Sequence, residues 1–185
     1  MDNHKSWAVK DEDILGELTT LTKMTDEEKK TLFEIKGFAE KAAPEMVDAF
    51  YARLLAHENT AEYVGEKIEG MRNTLKTWFL ELFSGEYGQK YVQGRLQIGK
   101  VHVMIGLPVR YPLAMMDVVM EYGQKAALSA SNPELAAAAF RKLAALDIAI
   151  FNQAYESTQL KHLAKLVGNE RLARRILTQD DKSSL

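Results

Sequence analysis

The chain has no cysteine among its 185 residues. That excludes disulfides, thiolate catalysis, Cys-ligated zinc, iron–sulfur clusters and thioether-linked cofactors. It also lacks an excess of charge of either sign: 24 Lys and Arg face 26 Asp and Glu, for a net charge of −2. A generic nucleic-acid binder shows a clear basic excess, so none is expected as a partner. Long hydrophobic runs are missing too. A stretch such as Val101–Leu107 falls far short of the roughly 20 residues needed to cross a bilayer. The polar start, Met1-Asp2-Asn3-His4-Lys5, does not read as a secretory signal. The expectation is a soluble, cytoplasmic protein without a membrane partner. Segments alternating with period two are scarce, whereas apolar residues spaced i, i+3, i+4 are abundant. The fold class is therefore all-α. With 46% hydrophobic and 27% charged residues, the chain can bury a core and is not a disordered composition. Its length suits one domain, with room for a helical extension.

The periodicity predicts a first helix over about 11–22, with Ile14, Leu15, Leu18 and Leu21 on one face. Thr25-Asp26-Glu27-Glu28 has the form of a capping box and opens a second helix. Pro44 suits the first turn of a third, which runs to about Leu55. A further helix spans about 66–84 and ends at Gly85, and another covers Tyr87–Leu107. Pro108 and Pro112 bracket a corner before a helix over about Leu113–Ser129. Asn132-Pro133-Glu134 combines a cap, a proline at the first position and an acid, and starts a helix that holds its pattern to about Val167. Gly168-Asn169 stops it, and residues 169–179 form a short extra helix. At 1.5 Å per residue the long helix is roughly 50 Å, more than a compact domain needs, so something packs on its overhang. Its alanines, Ala136–Ala139, Ala144, Ala145, Ala149 and Ala154, with Leu135, Leu143, Leu146 and Ile150 as knobs, fit an interface between chains. They equally fit plain helix propensity.

Most catalytic templates are missing: there is no phosphate-binding glycine loop, no G-x-S-x-G elbow and no H-E-x-x-H helix. Of the four histidines, His4, His57 and His162 read as exposed. His102 differs, because it sits in the most apolar stretch of the chain. On a helix its face is shared by Ile98, Gly99, Ile105 and Gly106. Two glycines there either clear room for a flat object beside the ring or let another helix approach a core histidine. One histidine cannot build a closed zinc site, but it suffices where a macrocycle supplies the equatorial ligands, as in haem. Phe33, Phe50, Met71, Leu75, Trp78, Phe79, Ile98 and Ile105 are candidate walls for such a pocket. Tyr51 lies on the apolar face of Val47, Leu54 and Leu55, where a hydroxyl seeks a partner, and Thr74 offers a second hydroxyl one turn from Met71 and Trp78.

The stretch Arg95–Pro108 closely resembles the proximal-histidine segment of bacterial sensor globins, the haem domains of globin-coupled sensors. Asp48-Ala49-Phe50-Tyr51 resembles their distal-tyrosine segment, and Thr74–Phe79 followed by Leu82-Phe83-Ser84-Gly85 resembles their E-helix segment. The match covers about residues 11–165, in order.

The resemblance implies a globin fold with an N-terminal extension helix (1–24), a sensor globin domain (25–167) and a connector (168–185). It implies haem b held by His102 as proximal iron ligand, with Tyr51 and Thr74 on the distal side and Phe50 and Met71 lining the distal pocket. Leu75, Trp78, Phe79, Ile98, Ile105 and, more distantly, Tyr111 complete the expected pocket. Where many members carry a Trp-Tyr pair after Gly-Leu-Pro, this chain has Val109-Arg110-Tyr111-Pro112. The implied function is a non-enzymatic dioxygen sensor, also open to CO and NO. It would act as a homodimer through its last two helices on an output module such as a histidine kinase, diguanylate cyclase or chemotaxis transducer. A haem-free globin-like dimerisation module and a haem dioxygenase are the alternatives. The arginines Arg171, Arg174 and Arg175 read as a solvated face of the connector.

Overall fold

The computed structural model describes residue 9 and residues 13–65 and 68–178. Among these residues every regular element is a helix: α1 (Ile14–Thr22), α2 (Asp26–Glu34), α3 (Lys36–Leu55), α4 (Glu58–Ala61), α5 (Ile68–Glu81), α6 (Gln89–Met104), α7 (Arg110–Leu128), α8 (Pro133–Val167) and α9 (Glu170–Thr178). The expected beginnings of two helices, at residues 11–12 and 66–67, lie outside the described residues, as does the tail after 178.

Local chemistry sets several boundaries as expected. The Glu28 amide donates to Thr25 Oγ1 at 3.2 Å, and the Thr25 amide donates to Glu28 Oε2 at 2.8 Å. Lys142 on α8 then pairs with the same carboxylate at 2.7 Å, which fastens the start of α2 to the long helix. Asn132 caps α8, with Pro133 as its first residue, and Gly168 in the left-handed region ends it.

Two prolines behave differently from the sequence reading. Pro44 does not open a helix; it lies inside α3, which begins at Lys36 just after a break at Ile35. Proline deprives the carbonyl four residues back of its donor. Here both Pro44 and Glu40 face solvent, so water can take that bond. Pro112 lies within the first turn of α7, where no amide has an intrahelical partner.

The core forms where α3 packs on α7, and α7 and α6 both pack on α8. Phe79 meets Phe83 edge-on at 5.4 Å, and Phe83 stacks on Phe140 at 5.5 Å. The alanine-rich face of α8 is largely consumed within one chain: Ala136, Ala139, Ala144 and Ala154 are buried, together with Leu143, Leu146 and Ile150. The small residues therefore serve the fold itself and do not by themselves mark an interface between chains. The overhang of α8 is covered in part by α9, whose Ala173 is buried, while α1 packs on the same helix.

Gly123 on α7 lies directly against the buried Phe140 ring, and a methyl group there would overlap it. With Phe83 stacked on the face of that ring, Gly123→Ala is expected to destabilise the fold by about 1–3 kcal/mol, measured by urea unfolding.

Candidate functional site

His102 lies in the last turn of α6. The helix ends in a Schellman motif: the Leu107 amide donates to the His102 carbonyl at 3.0 Å and the Gly106 amide to the Val103 carbonyl at 3.0 Å. Gly106, at φ 72°, supplies the left-handed residue. Because α6 stops at Met104, Ile105 and Gly106 leave the helical face of His102, and of the four expected neighbours Ile98 and Gly99 remain on it.

The imidazole is oriented by its own helix. Its Nδ1 lies 2.7 Å from the Ile98 carbonyl oxygen. A carbonyl only accepts, so Nδ1 must carry the proton and Nε2 the lone pair. Burial lowers the pKa of this ring, and the Ile98 bond only partly opposes that. The neutral, ligating form therefore prevails at neutral pH. Nε2 makes no hydrogen bond among the described residues.

Three residues of α8 brace this end of α6. The Phe151 ring meets the His102 ring edge-on at 5.4 Å, and Tyr155 lies 5.2 Å further along. The Tyr155 hydroxyl donates to the Leu107 carbonyl at 3.0 Å, which locks the turn after His102. A Cβ on Gly99 would lie 2.5 Å from Ala154 Cβ and 3.0 Å from the Phe151 carbonyl oxygen. Of the two roles open to the glycines, Gly99 serves close helix contact and Gly106 the turn.

Tyr51, on α3, is 4% exposed. Burial pushes its phenol up to about 12, and the Arg72 guanidinium, 5.6 Å from the ring centroid, pulls the other way. Arg72 is itself paired with Asp48. The Tyr51 hydroxyl has no hydrogen-bond partner among the described residues, so a protonated donor is left unused. Phe50 packs against Tyr51 at 5.7 Å.

The remaining expected residues divide. Met71, Leu75, Trp78 and Phe50 are half-buried against the core, and Ile98 is half-buried on α6. Ile105 is half-exposed. Phe79 is fully buried in the aromatic core and is a packing residue. Phe33 is largely exposed and packs near Gly85. Thr74 is exposed, and its hydroxyl donates to the Gly70 carbonyl at 2.9 Å, so the structure does not bring it to Tyr51. Tyr111 is half-buried beneath the Arg110 guanidinium, at 4.6 Å.

Helices α5 and α6 are joined at one end, where Arg95 bonds to Glu81 and to the Trp78 carbonyl. Towards Met71 on one helix and His102 on the other, no side-chain hydrogen bond joins them among the described residues. Met71, Leu75, Ile98 and Ile105 are incompletely covered by the chain. The donor set is one imidazole with a bare nitrogen. Among the described residues no group of three or more His, Asp or Glu side chains could hold a naked metal ion. A flat apolar macrocycle with a metal at its centre fits this donor set, because it would need only one imidazole from the chain and would rest against apolar side chains.

The chain matches Protoglobin over residues 11–161. It belongs to the protoglobin family. It is 29% identical over 150 residues to the haem-based aerotactic transducer HemAT of Halobacterium salinarum, a match covering 72% of this chain and 30% of that protein. The chain thus spans about a third of that relative. Among solved structures it is similar to the globin domain of the Geobacter sulfurreducens globin-coupled sensor, with TM-score 0.71, 27% identity and coverage of 76% of this chain and 96% of that one. It also shares its fold with the ferrous globin domain of E. coli DosC, at TM-score 0.55 and 20% identity, covering 77% of this chain and 95% of that one. The fold is therefore an all-α globin fold.

The sequence reading did not single out Phe151, Tyr155, Arg95, Asp147 or Tyr91. Arg95 carried a signal, since it lies on the face of α6 that bears His102, where a charge is out of place.

The close approach at Gly99 gives a direct check. Gly99→Ala should force α6 off α8 and cost about 1–3 kcal/mol in thermal unfolding. Gly94→Ala on the same helix, with open space around it, should instead stabilise by up to about 1 kcal/mol.

Proposed function

We propose that this protoglobin domain binds haem b and senses dioxygen: His102 Nε2 would hold the iron, and Tyr51 would offer its hydroxyl to the bound gas. The observation that carries this reading is the His102–Ile98 hydrogen bond, which aligns the ring and leaves one unprotonated nitrogen. Metal-bound histidines are oriented in this way. The names of its relatives, a haem-based aerotactic transducer and a globin-coupled sensor, support it.

Haem b supplies an iron centre that binds diatomic gases reversibly. The chain's residues do the rest. Phe50, Met71, Leu75, Trp78, Ile98 and Ile105 would offer the apolar surfaces that bind the macrocycle and exclude water. Tyr51 Oη keeps its proton at neutral pH because burial disfavours the phenolate. It can therefore donate to a polar diatomic ligand. Thr74 would contribute only by turning its hydroxyl from the Gly70 carbonyl. On the other side, the His102 ring touches Phe151, and Leu107 is tied to Tyr155. A displacement of His102 is therefore felt by α8 at two points. Through α8, and through pairing of two chains along α7 and α8, the ligation state would bias an output module beyond this domain. Such biasing needs two packings of nearly equal energy, which helix interfaces provide. No helix among the described residues is long and apolar enough to cross a membrane. We place the domain in the cytoplasm.

Absorption spectra of the purified protein in ferric, ferrous and oxygenated forms test this reading. A Soret band is expected, lost or greatly weakened in His102→Ala. Tyr51→Phe should keep the haem and release dioxygen faster by one hydrogen bond, roughly 1–2 kcal/mol or about 5- to 30-fold. A wild-type chain that stays colourless with excess haemin contradicts it.

A further inference from the structure

Arg95 is the largest of the fully buried side chains, at 1% exposure. Its Nε donates to Asp147 Oδ1 at 2.6 Å, while Nη1 bonds to Glu81 and Nη2 donates to the Trp78 carbonyl at 3.3 Å. The guanidinium also lies over the Tyr91 ring, 3.9 Å from its centroid. Asp147, 3% exposed, is the hub. Its Oδ1 accepts from Tyr91 Oη at 2.5 Å as well as from Arg95, and its Oδ2 accepts from Trp78 Nε1 at 3.2 Å. One carboxylate on α8 thus holds α5 through Trp78 and α6 through Tyr91 and Arg95.

Stability alone does not account for this arrangement. Taking an ion pair out of water costs about as much as the pair returns, and well-packed apolar residues of similar volume commonly do as well. A buried network does supply direction, because each bond fixes an angle. Its location gives that direction a use. Arg95 precedes His102 by seven residues, two helical turns on one face, about 10 Å along the axis. Trp78 follows Met71 on α5 by the same seven residues. The network therefore ties α5 and α6 to α8 two turns away from Met71 and His102, and the angles set there bear on where both residues stand.

We propose that Asp147 is a positioning residue of the haem crevice: through Trp78 and through Arg95 it holds the two walls at a fixed separation from α8 and so sets the placement of the His102 imidazole. The proposal rests on the haem reading above and concerns how the site is held, not whether haem binds.

Two variants test it. Asp147→Asn keeps the shape and removes the charge. The double variant Arg95→Met/Asp147→Leu removes both charges and refills the space, so that folding stability can recover while the angular control does not. In the haem-free protein, amides of residues 96–104 should exchange about tenfold faster in both variants, the loss of roughly one charge-assisted bond. In the ferrous haem-loaded protein, the iron–histidine stretching band should shift or broaden in both, and transfer of haem to excess apomyoglobin should quicken about tenfold. If the double variant is as stable as wild type and also recovers its band, exchange and haem-transfer rate, the network is packing only and the proposal is overturned. Failure of both variants to fold would likewise assign the network to the fold and overturn it. A wild-type chain that takes up no haem would overturn the haem reading itself, an outcome visible before any variant is made.

Discussion

A histidine that donates from Nδ1 to the carbonyl one turn behind it has a single nitrogen left for chemistry. In this chain that bond, from His102 to Ile98 at 2.7 Å, fixes the tautomer and the tilt of the ring together. Most of what surrounds it maintains that bond. The Schellman turn at Gly106 ends α6 just beyond it, Gly99 brings α8 close enough for Phe151 to meet the ring, and Tyr155 holds Leu107. The haem reading depends on this one constraint, since a ring free to turn would offer a metal no defined direction.

Helix α8 is the common reference for the whole site. It contacts α1, α2, α6, α7 and α9, and it supplies Phe151 against His102, Tyr155 against Leu107 and Asp147 against Arg95. That economy has a structural consequence. Half of the alanines named on α8 are covered by neighbours within the same chain, while Ala145 is exposed and Ala137, Ala138 and Ala149 are partly so. Leu166 on α8, with Leu172, Ile176 and Leu177 on α9, is still exposed.

Features written in adjacent residues were legible in the sequence. The Thr25–Glu28 capping box and the Asn132-Pro133 start depend on side chains reaching a backbone group within a turn, the Gly168 stop on the left-handed backbone that glycine adopts freely, and each forms as read. The candidate roles of His102 and Tyr51 came from a resemblance, and the structure adds their burial and hydrogen bonding. Features that depend on how helices cross were not legible. Arg95 and Asp147 lie 52 residues apart and meet only because α6 and α8 cross as they do. For the same reason, the alanine run could not say whether its partner was the same chain or another. Pro44 misled because an exposed proline can be carried inside a helix when water serves the orphaned carbonyl. Thr74 shares a helix with Met71 and Trp78, but its hydroxyl is satisfied by its own backbone.

The central claim is that the His102 imidazole itself, and not merely an apolar crevice, holds the iron. Chemical rescue tests it most directly. His102→Gly should leave a ring-sized gap and a weak, shifted Soret band, and free imidazole added in millimolar excess should restore a spectrum close to that of the wild type. A His102→Gly protein whose spectrum already matches wild type, and does not respond to imidazole, would contradict the account.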